Sequence, residues 1–419
     1  MPSYFSEKKL ASVVRVGDSR RFKVDLKSNR SAVFDQVLKE VNIEPATFEE
    51  PFRTIINKRP CLSLKSYSNN LVLRVIAKYL GRKFRAHPRT RDSLVKEIIE
   101  TLSDATPIYI IRRDIKSFYE SLSVDEVRNS LSYSAEIPAR ARSYLDVYFR
   151  FLCTPRRGLP RGIGVSAVIA EIAMQRTDQR IKEIPGVYKY FRYSDDILIF
   201  SYRKAEDVVP KLKEIINEVG LRFNKKKSDD ISLDLPHKAT DVIKNFEYLG
   251  YKFSVPAGCG AKSPRMVTVG ISDRKINKIK SRLICSFKYF TRHGNYALLE
   301  DRVRFLASNY YARRAGATSV KTSIYVRSGI YYNYRFCGRY KGSDKSPHLC
   351  SELKALDAFY HFLIRGKTSK FREHLEQPSF AAVSHRLKDI SFLKGYEHRM
   401  TVRFSPERIR EIKEAWRNG

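Results

Sequence analysis

The chain has 419 residues, enough for two or three domains or for one enzyme of several parts, and 42% of them are hydrophobic, which can supply a core. Its 80 lysines and arginines outnumber 45 acids and leave a net charge of +35. Because this surplus far exceeds what solubility requires, it favours a polyanionic partner, nucleic acid before an anionic membrane. The sequence has no apolar run of transmembrane length, which argues against a membrane protein.

Secondary structure is predicted along much of the chain from hydrophobic periodicity and from signals at helix ends. Residues 1–105 are basic and mixed, residues 106–255 alternate strand and helix signals, and residues 270–419 are predicted to be mainly helical. The predicted elements are helices at Ser68–Tyr79 and Asp92–Leu102, a strand at Ile108–Ile115, and helices at Val165–Arg180, Glu206–Val219, Asp273–Phe290, Leu298–Arg313, Glu352–Ile364 and Pro406–Trp416. The aromatic run Ile330–Phe336 is interpreted as a buried strand in preference to a surface that stacks single-stranded bases.

The six cysteines stand singly and form no Cys-X-X-Cys pair, so no zinc module is indicated. Unpaired cysteines, together with the lack of a recognisable signal peptide, lead us to expect a cytoplasmic protein in a reducing compartment.

The most informative segment runs from Tyr190 to Phe200, where Asp195 and Asp196 separate two stretches of aromatic and branched residues. Such flanks favour strands, and so short a break favours a hairpin turn. The two carboxylates are therefore predicted at the tip of a buried hairpin, where a charge is costly unless it is paired or binds metal. Taken alone, two adjacent acids in a tight turn are also ordinary turn formers.

A third acid, Asp114, follows the apolar residues Ile108–Ile111 and precedes an aromatic pair. Phosphoryl transfer gives a reason to bring three carboxylates together, because two divalent ions about 3.5–4 Å apart stabilise both the attacking and the leaving oxygen. Mg²⁺ prefers carboxylate oxygen, phosphate oxygen and water as ligands. We therefore expect Asp114 and Asp195 to hold both ions and Asp196 to support the site.

Five segments resemble the catalytic motifs of reverse transcriptases, in the order in which that family carries them. They are Arg113–Tyr119, Gly158–Ala167, Tyr193–Asp196, Gly220–Ser228 and Phe246–Tyr251. The resemblance implies an RNA-directed DNA polymerase with an α+β right-hand fold. It places fingers in residues 1–105, a ferredoxin-like palm of antiparallel sheet and helices in residues 106–255, and a helical thumb with a basic C-terminal region in residues 256–419.

The same resemblance implies a metal site and a leaving-group residue. Asp114, Asp195 and Asp196 correspond to the acids that hold two Mg²⁺ ions, for which Mn²⁺ can substitute, and Ile115 is a further residue of that metal site. Lys227, the last of three consecutive lysines, corresponds to the cation that neutralises or protonates the departing pyrophosphate.

Nucleotide and primer contacts are implied in the same way. Tyr119 stands where the family places its sugar gate, a ring that leaves no room for a 2′-hydroxyl. Arg161 and Gly162 in the second motif and the upstream Arg89 and Arg91 correspond to nucleotide-binding residues. The turn residues 249 and 250, a leucine and a glycine, correspond to the primer grip.

Three positions depart from the family's second motif. Arg161 stands where glutamine is common, Ala167 where proline is common, and Glu171 where many members have asparagine. Ser166 is expected to cap the helix that follows. The Asp273–Phe290 helix resembles a thumb whose cations contact duplex phosphates, and a solvated outer face is the alternative.

Integrase, ribonuclease H and His-Asn-His nuclease signatures are not visible in this sequence. The compact size and the form of residues 161–171 resemble the bacterial reverse transcriptases of defence-associated and abortive-infection groups, and retron enzymes are the nearest alternative. That placement implies an anti-phage role with a noncoding RNA as template, dNTPs as substrates, a DNA product, a second defence protein as a partner and an open question of oligomerisation. An RNA-dependent RNA polymerase and a nucleic-acid-binding scaffold with a silent palm remain the other two function classes.

Overall fold

The computed structural model describes residues 4–43, 45–56, 59–86, 89–132, 136–153, 158–236, 241–259, 264–313, 325–346, 350–381 and 384–417. These residues form two compact units. The first holds the described residues up to Thr90 together with Pro107–Leu233, and the second holds Arg91–Thr106, residues 234–313 and the described residues from Tyr325 onward. Within the described ranges, no helix is both long enough and apolar enough to cross a membrane.

The helices, in chain order, are α1 (Glu7–Ala11), α2 (Asp18–Phe22), α3 (Arg30–Asn42), α4 (Tyr67–Lys83), α5 (Arg91–Leu102), α6 (Phe118–Ser121), α7 (Val124–Ser132), α8 (Ala139–Val147), α9 (Gly164–Lys182), α10 (Ala205–Glu218), α11 (Asp273–His293), α12 (Tyr296–Ala307), α13 (Ile330–Tyr334), α14 (Ser351–Arg365), α15 (Arg372–Leu375), α16 (Pro378–Ala381), α17 (Ser384–Lys388), α18 (Phe392–Glu397) and α19 (Pro406–Glu414). Short helical turns of other pitch occupy Tyr148–Leu152 and Lys225–Lys227.

The strands, in chain order, are β1 (Phe52–Ile56), β2 (Arg59–Ser63), β3 (Ile108–Asp114), β4 (Val187–Tyr193), β5 (Asp196–Ser201), β6 (Asp229–Leu233), β7 (Leu235–Pro236), β8 (Ile243–Tyr248), β9 (Tyr251–Pro256), β10 (Gly258–Cys259), β11 (Met266–Ile271), β12 (Asn309–Arg313), β13 (Tyr325–Gly329), β14 (Gly338–Lys341), β15 (Asp344–Ser346) and β16 (Thr401–Val402).

An antiparallel sheet of order β4-β5-β3-β6 forms the centre of the first unit. Residues 197–200 of β5 are fully buried, as expected of a central strand that is covered on both faces. Helix α9 packs against β4 and helix α10 against β3. Helix α10 presents Val208, Leu212 and Ile216 to the core, which confirms the face predicted from the spacing of its apolar residues.

The N-terminal part of the first unit packs on the same core. Helix α4 lies against α9, and the strands β1 and β2 form a two-stranded sheet. The buried guanidinium of Arg74 on α4 forms hydrogen bonds of 2.6 and 3.0 Å with the carboxylate of Asp18, which stands at the start of α2. This ion pair joins α2 to α4, and loss of either partner would leave a buried charge.

The second unit contains a five-stranded sheet of order β15-β14-β11-β9-β8 and the long helix α11. Helix α11 buries Ile276, Leu283 and Phe287 on one face, and Gly294 in the left-handed conformation ends it. The helices α14 and α19 confirm predicted helices with small shifts at their ends.

Two predictions for the C-terminal part are wrong. The helix expected over Leu298–Arg313 ends at Ala307, and Asn309–Arg313 is a strand that pairs with β13, because its tyrosines suit a pleated sheet better than a helix. The run Ile330–Phe336 begins with a helix, α13, in which Ile330 and Tyr334 are buried four residues apart. These two buried residues have helical spacing, so the expected buried strand is not formed.

Candidate active site

Asp114 is the last residue of strand β3, which lies between β5 and β6 in the sheet. Its register partner on β5 is Asp196, and its carbonyl accepts a hydrogen bond of 2.7 Å from the main-chain N–H of Asn224. The Asp114 carboxylate is 4% exposed and accepts hydrogen bonds from Lys227 Nζ at 2.8 Å and from Asn224 Nδ2 at 3.2 Å. These donors compensate the loss of water around a buried charge.

The turn between β4 and β5 consists of Ser194 and Asp195, which confirms the predicted hairpin. Ser194 has a φ of 58°, a left-handed conformation that is costly for a residue other than glycine and persists only where the surroundings hold it. The Asp195 carbonyl accepts a hydrogen bond of 2.8 Å from the N–H of Ile115. This bond ties the turn to the end of β3 and brings Asp195 beside Asp114.

The three acids lie within electrostatic reach of one another. Burial raises the pKa of the Asp196 carboxyl; Arg112, whose Nη2 lies 3.7 Å from Asp196 Oδ1, opposes that shift. The negative charges of Asp195 and Asp114 raise the same pKa further. Because the three carboxylates repel one another, the site requires a cation to balance their negative charge.

Carboxylate oxygens of this kind are the donors that Mg²⁺ and related divalent ions prefer. Among the residues that the structure describes, no three acidic, histidine or cysteine side chains already stand in ligand geometry around one point. The ammonium of Lys227 holds one oxygen of Asp114 and provides part of the counter-charge. The oxygen donors and the combined negative charge of Asp114, Asp195 and Asp196 therefore suit a divalent ion.

We expect Asp196→Asn to raise the thermal unfolding temperature at pH 8. A carboxyl whose folded-state pKa is raised costs stability above that pKa, because the folded chain must hold a partly buried negative charge, and the cost disappears as falling pH protonates the group. The gain should therefore shrink toward about pH 4. Unfolding followed by circular dichroism at both pH values measures it.

The control for this measurement is Asp207→Asn, which neutralises an exposed acid in the first turn of α10. An equal gain in the control, or a gain in Asp196→Asn that does not depend on pH, would contradict the assigned cause.

The three consecutive lysines form a short helical turn after Asn224, whose side chain accepts a hydrogen bond from the N–H of Lys226. All three lysines are exposed, and only Lys227 of the three contacts Asp114. The contact with Asp114 distinguishes Lys227 from its two neighbours, and its role with the leaving pyrophosphate stays a prediction.

Tyr119 lies on α6, beside the turn of Ser194 and Asp195. Burial raises the pKa of its hydroxyl, and a hydrogen bond with Ser194 opposes that shift. The Arg161 guanidinium lies 5.0 Å from the centre of the Tyr119 ring and pairs with the Glu120 carboxylate through two hydrogen bonds. The hydrogen bond with Glu120 raises the pKa of Arg161, so this cation is permanently charged and held over the tyrosine ring.

Two glycines allow the loop before α9 to approach other backbone closely. A Cβ on Gly158 would lie 2.4 Å from the Tyr119 carbonyl oxygen, and a Cβ on Gly162 would lie 2.3 Å from the Leu62 carbonyl oxygen. Both glycines have φ in the left-handed region, at 57° and 92°. The loop is thus fastened on one side to Tyr119 and on the other to strand β2.

Ser166 does not cap helix α9, so that expectation is wrong. The helix begins at Gly164, with Ile163 at the N-cap position, and Ser166 is already its third residue. The Ser166 hydroxyl instead forms a buried hydrogen bond of 2.8 Å with the Tyr148 hydroxyl.

A largely buried ion cluster contacts the turn of Ser194 and Asp195. The side chain of Arg192 on β4, which is 5% exposed, forms paired hydrogen bonds with the carboxylates of Glu171 and Asp178 on α9, the shortest at 2.8 Å. The Tyr190 hydroxyl also donates to Asp178, at 2.6 Å. Arg192 Nη1 donates to the carbonyl of Ser194 at 3.2 Å, so the cluster reaches the turn that carries the acids.

Arg89 and Arg91 fall in different units. In the first unit, the Arg89 guanidinium lies 5.9 Å from the centre of the Phe191 ring. In the second unit, Arg91 begins α5 and donates to the carbonyl of Leu249 at 2.8 Å. Leu249 and Gly250 form the turn between β8 and β9, and both have positive φ. The nucleotide-binding and primer-grip roles of these residues stay predictions.

Several residues of the site escaped the sequence analysis. Two of them contact the acids: Arg112 lies beside Asp196, and Asn224 bonds to Asp114. The other two pair with arginines, Glu120 with Arg161 and Asp178 with Arg192. Asp178 follows Glu171 by two helical turns and therefore shares its face, which is a signal that the sequence contains. The partners of Asn224 and Glu120 depend on contacts between distant segments, for which spacing supplies no signal.

Residues 55–253 match the family model described as reverse transcriptase (RNA-dependent DNA polymerase). They form a nucleotidyltransferase domain of the RNA-directed DNA polymerase type, and the mixed helices and antiparallel sheets confirm the predicted α+β fold class. A search of curated proteins found no match.

Among solved structures, the chain is similar to three telomerase structures. The apo telomerase of Candida tropicalis truncated from its C-terminal domain shows 14% identity and a TM-score of 0.33, over 44% of this chain and 43% of that one. The Candida albicans telomerase in complex with a fragment of telomeric RNA shows 13% identity and a TM-score of 0.34, over 49% of this chain and 38% of that one. The apo telomerase of Candida tropicalis shows 12% identity and a TM-score of 0.36, over 54% of this chain and 51% of that one. This chain therefore covers about half or less of each telomerase chain.

Proposed function

We propose that this chain is an RNA-directed DNA polymerase that adds deoxynucleotides to a primer by two-metal phosphoryl transfer. The observation that carries the proposal is the meeting of Asp114 with the turn of Asp195 and Asp196 inside a reverse transcriptase domain. The net charge of +35 supports an RNA template and a DNA product as partners, because phosphate backbones bind clustered cations.

When bound, divalent ions stabilise the charge on the attacking and leaving oxygens, and Mg²⁺ is the ion that we assign, with Mn²⁺ as a substitute. Asp114, Asp195 and Asp196 are the carboxylates that hold them, and Ile115 is the further residue of the metal site. Asn224 and Lys227 orient the Asp114 carboxylate through their hydrogen bonds to its two oxygens.

Lys227 has a second role in the proposed reaction. Its ammonium already stands at the edge of the acid site, and it can neutralise the departing pyrophosphate or transfer the Nζ proton to it. Arg161, Gly162, Arg89 and Arg91 are assigned to nucleotide binding. Residues 249 and 250, at the β8–β9 turn, are assigned to the primer grip.

Tyr119 is assigned as the group that excludes ribonucleotides. Tyr119→Val removes the ring, so we expect discrimination against rNTPs to fall by about 10–200-fold, the range that a single steric contact provides. Tyr119→Phe keeps the ring and loses only the hydroxyl bonded to Ser194, so it should retain discrimination. The ratio of kcat/KM for dGTP and GTP on one RNA template measures both variants. Unchanged discrimination in Tyr119→Val would refute the assignment.

The experiment that tests the proposed function is extension of a labelled DNA primer on an RNA template, with dNTPs or rNTPs and with Mg²⁺, Mn²⁺ or chelator. Metal-dependent incorporation of dNTPs supports the proposal. Preferred incorporation of rNTPs would identify an RNA polymerase, against which the bulky Tyr119 argues, and no incorporation with retained binding would identify a scaffold.

The biological setting is also a proposal. The form of residues 161–171 and the compact chain support a bacterial anti-phage reverse transcriptase, with a noncoding RNA as template and a second defence protein as partner. A retron-type enzyme is the alternative setting. Purification from the host, followed by sequencing of every bound nucleic acid, identifies the template and the product. It also shows whether this template and product differ from the paired RNA and DNA of a retron.

The division into fingers (residues 1–105), palm (106–255) and thumb (256–419) accompanies this proposal. The exposed cations of α11, such as Arg274 and Lys278, support a role of that helix in binding duplex phosphates.

A further inference from the structure

Three short strands of the second unit form a sheet of order β13-β12-β16, whose two faces differ in burial. On the inner face, the Tyr310 ring of β12 stacks on Phe305 of α12, with 4.2 Å between the ring centres. Because side chains alternate along a strand, Tyr311 lies on the outer face, where it is 39% exposed. None of the three strands belongs to residues 55–253, which match the reverse transcriptase model.

The outer face carries rings and cations side by side, and we call it the tyrosine–arginine face. The exposed Arg327 of β13 is the register partner of Tyr311. Tyr325 lies two residues before Arg327, therefore shares its face, and is 53% exposed. The guanidinium of Arg403, which follows β16, lies 5.7 Å from the centre of the Tyr311 ring. The face thus presents two rings and two cations to solvent.

Helix α13 adds a third ring at the edge of the tyrosine–arginine face. The Tyr332 hydroxyl accepts a hydrogen bond of 2.8 Å from Arg327 Nη1, and the Arg327 guanidinium lies 5.7 Å from the centre of the Tyr332 ring. This bond restricts the long Arg327 side chain, so less conformational entropy is lost when its cation binds an anion.

The charge of the face favours a polyanion as its partner. Strands β12 and β13, helix α13 and residues 399–404 together contain four arginines and no acid. Two such faces would repel each other, which argues against a second copy of this chain as the occupant. Phosphate groups supply the complementary charge, and arginine binds them through a planar fork of donors.

The rings of the face favour unpaired bases of RNA. An unpaired base can stack on an exposed aromatic ring, whereas a base inside a duplex is covered by its neighbours. Tyr311 and Tyr325 are diagonal neighbours on paired strands, about 7–8 Å apart, so one nucleic-acid strand can reach both rings. Each of these rings carries a hydroxyl, which can donate to and accept from a ribose 2′-hydroxyl, a group that DNA lacks.

We propose that the tyrosine–arginine face binds an unpaired segment of RNA, with bases stacked on Tyr311 and Tyr325 and phosphates on Arg327 and Arg403. We assign to it RNA that the chain holds without copying it, because the face shares no residue with the acid site or with helix α11. The proposal therefore does not rest on the proposed polymerase activity.

The test is fluorescence anisotropy of a labelled 12-nucleotide oligouridylate, measured with and without a saturating unlabelled primer–template duplex. Tyr311→Ala/Tyr325→Ala removes two exposed rings, so affinity should fall by about 30-fold or more, with the duplex present as well as without it. Tyr311→Phe/Tyr325→Phe keeps the rings and should retain affinity for oligouridylate, but it should lose the preference over oligodeoxyuridylate.

The matched control is Tyr202→Ala/Phe362→Ala, which removes two rings of similar exposure, 59% and 47%, from other elements. It should bind oligouridylate as the unsubstituted chain does. Equal loss of affinity in variant and control, or displacement of oligouridylate by the unlabelled duplex, would overturn the proposal. Equal or tighter binding of oligodeoxyuridylate by the unsubstituted chain would overturn the assignment of RNA.

The phosphate contacts have a separate readout in the salt dependence of binding. Arg327→Gln/Arg403→Gln should reduce the slope of log K against log salt by about 1.4, since each contact contributes about 0.7 for a single strand. Lys182→Gln/Lys211→Gln removes the same charge from exposed positions on α9 and α10 and should leave the slope unchanged. An unchanged slope in the arginine variant would contradict the phosphate contacts.

Cross-linking of the unsubstituted chain gives a result that does not depend on whether a variant folds. Oligouridylate that carries 5-iodouridine should attach to Tyr311 or Tyr325 on irradiation, as mapped by mass spectrometry, and cross-links confined to other residues would overturn the proposal. Vesicles of equal phosphatidylcholine and phosphatidylserine test an anionic membrane as the partner. Vesicle binding that is lost in Tyr311→Ala/Tyr325→Ala, while oligouridylate binding remains, would identify the membrane instead of RNA.

Primer extension separates this inference from the polymerase proposal. Tyr311→Ala/Tyr325→Ala should extend a primer on a short template at the rate of the unsubstituted chain. A rate that falls together with the affinity for oligouridylate would show that the face serves the copied strand, against the proposal. An inactive unsubstituted chain would refute the polymerase proposal alone, because the anisotropy and cross-linking results do not require catalysis.

Discussion

Asp195→Ala should abolish DNA synthesis while nucleic-acid binding remains. Asp195 is one of three carboxylates gathered at the edge of the central sheet, and its loss removes ligand oxygen from the proposed metal site without opening a cavity in the core. We expect incorporation to fall by about three orders of magnitude or more, equivalent to about 4 kcal/mol of transition-state stabilisation. Single-turnover extension of a labelled primer with Mg²⁺ measures the rate, and anisotropy of the same primer–template measures binding.

The control is again Asp207→Asn, which should extend the primer at the rate of the unsubstituted chain. Isothermal titration with Mn²⁺ gives a readout that does not depend on catalysis, because Asp195→Ala should bind the metal more weakly than the control. Full activity of Asp195→Ala would refute the assignment of the metal site, and loss of binding together with activity would show that the turn is required for the fold.

The centre of the site could be predicted from the sequence because its parts are local. The hairpin around Asp195 needs only two apolar runs and a two-residue break, and the structure forms that hairpin. Asp114 stands at a strand end that the apolar run before it already indicates. What brings Asp114 beside Asp196 is the pairing of β3 with β5, a contact between distant segments that periodicity does not encode.

The errors also have local physical causes. A dense run of aromatic residues at Ile330–Phe336 suits a strand or a buried helix, and the burial of Ile330 and Tyr334 shows that the helical period prevails. The predicted helix over Leu298–Arg313 lacks a strong stop signal in the sequence. Pairing with β13 makes Asn309–Arg313 a strand, in which its tyrosines are favoured.

Two of the three departures from the family's second motif, Arg161 and Glu171, have the same structural explanation. Arg161 is paired with Glu120, and Glu171 is paired with Arg192, so each unusual charge has a partner of opposite sign in the same unit. Neither partner could be assigned by spacing, because each pair joins different elements. The Arg161 pair lies beside Tyr119, and the Arg192 pair contacts the turn of Ser194 and Asp195, so both unusual charges help to position residues of the proposed site.

Arg192 is the residue of this group whose removal should have the largest effect on stability. Its side chain is 5% exposed and neutralises both Glu171 and Asp178. Arg192→Gln leaves two part-buried carboxylates without their counter-charge, so we expect the free energy of unfolding to fall by roughly 3–5 kcal/mol. Urea unfolding measures this change. Arg180→Gln is the matched control, because it breaks the exposed pair with Glu218, and exposed pairs contribute little to stability.

A triple variant separates the structural role of Arg192 from its role in positioning the turn. In Arg192→Gln/Glu171→Gln/Asp178→Asn the stranded charges are gone, so the stability should largely return. The guanidinium that donates to the Ser194 carbonyl is still missing, and the left-handed conformation of Ser194 loses one of its supports. We therefore expect kcat to stay reduced by about tenfold or more, as for other outer supports of metal ligands, with KM for the primer–template unchanged. Recovery of kcat together with stability would show that Arg192 serves the fold alone, whereas a stable but slow enzyme would identify it as the residue that aims Asp195.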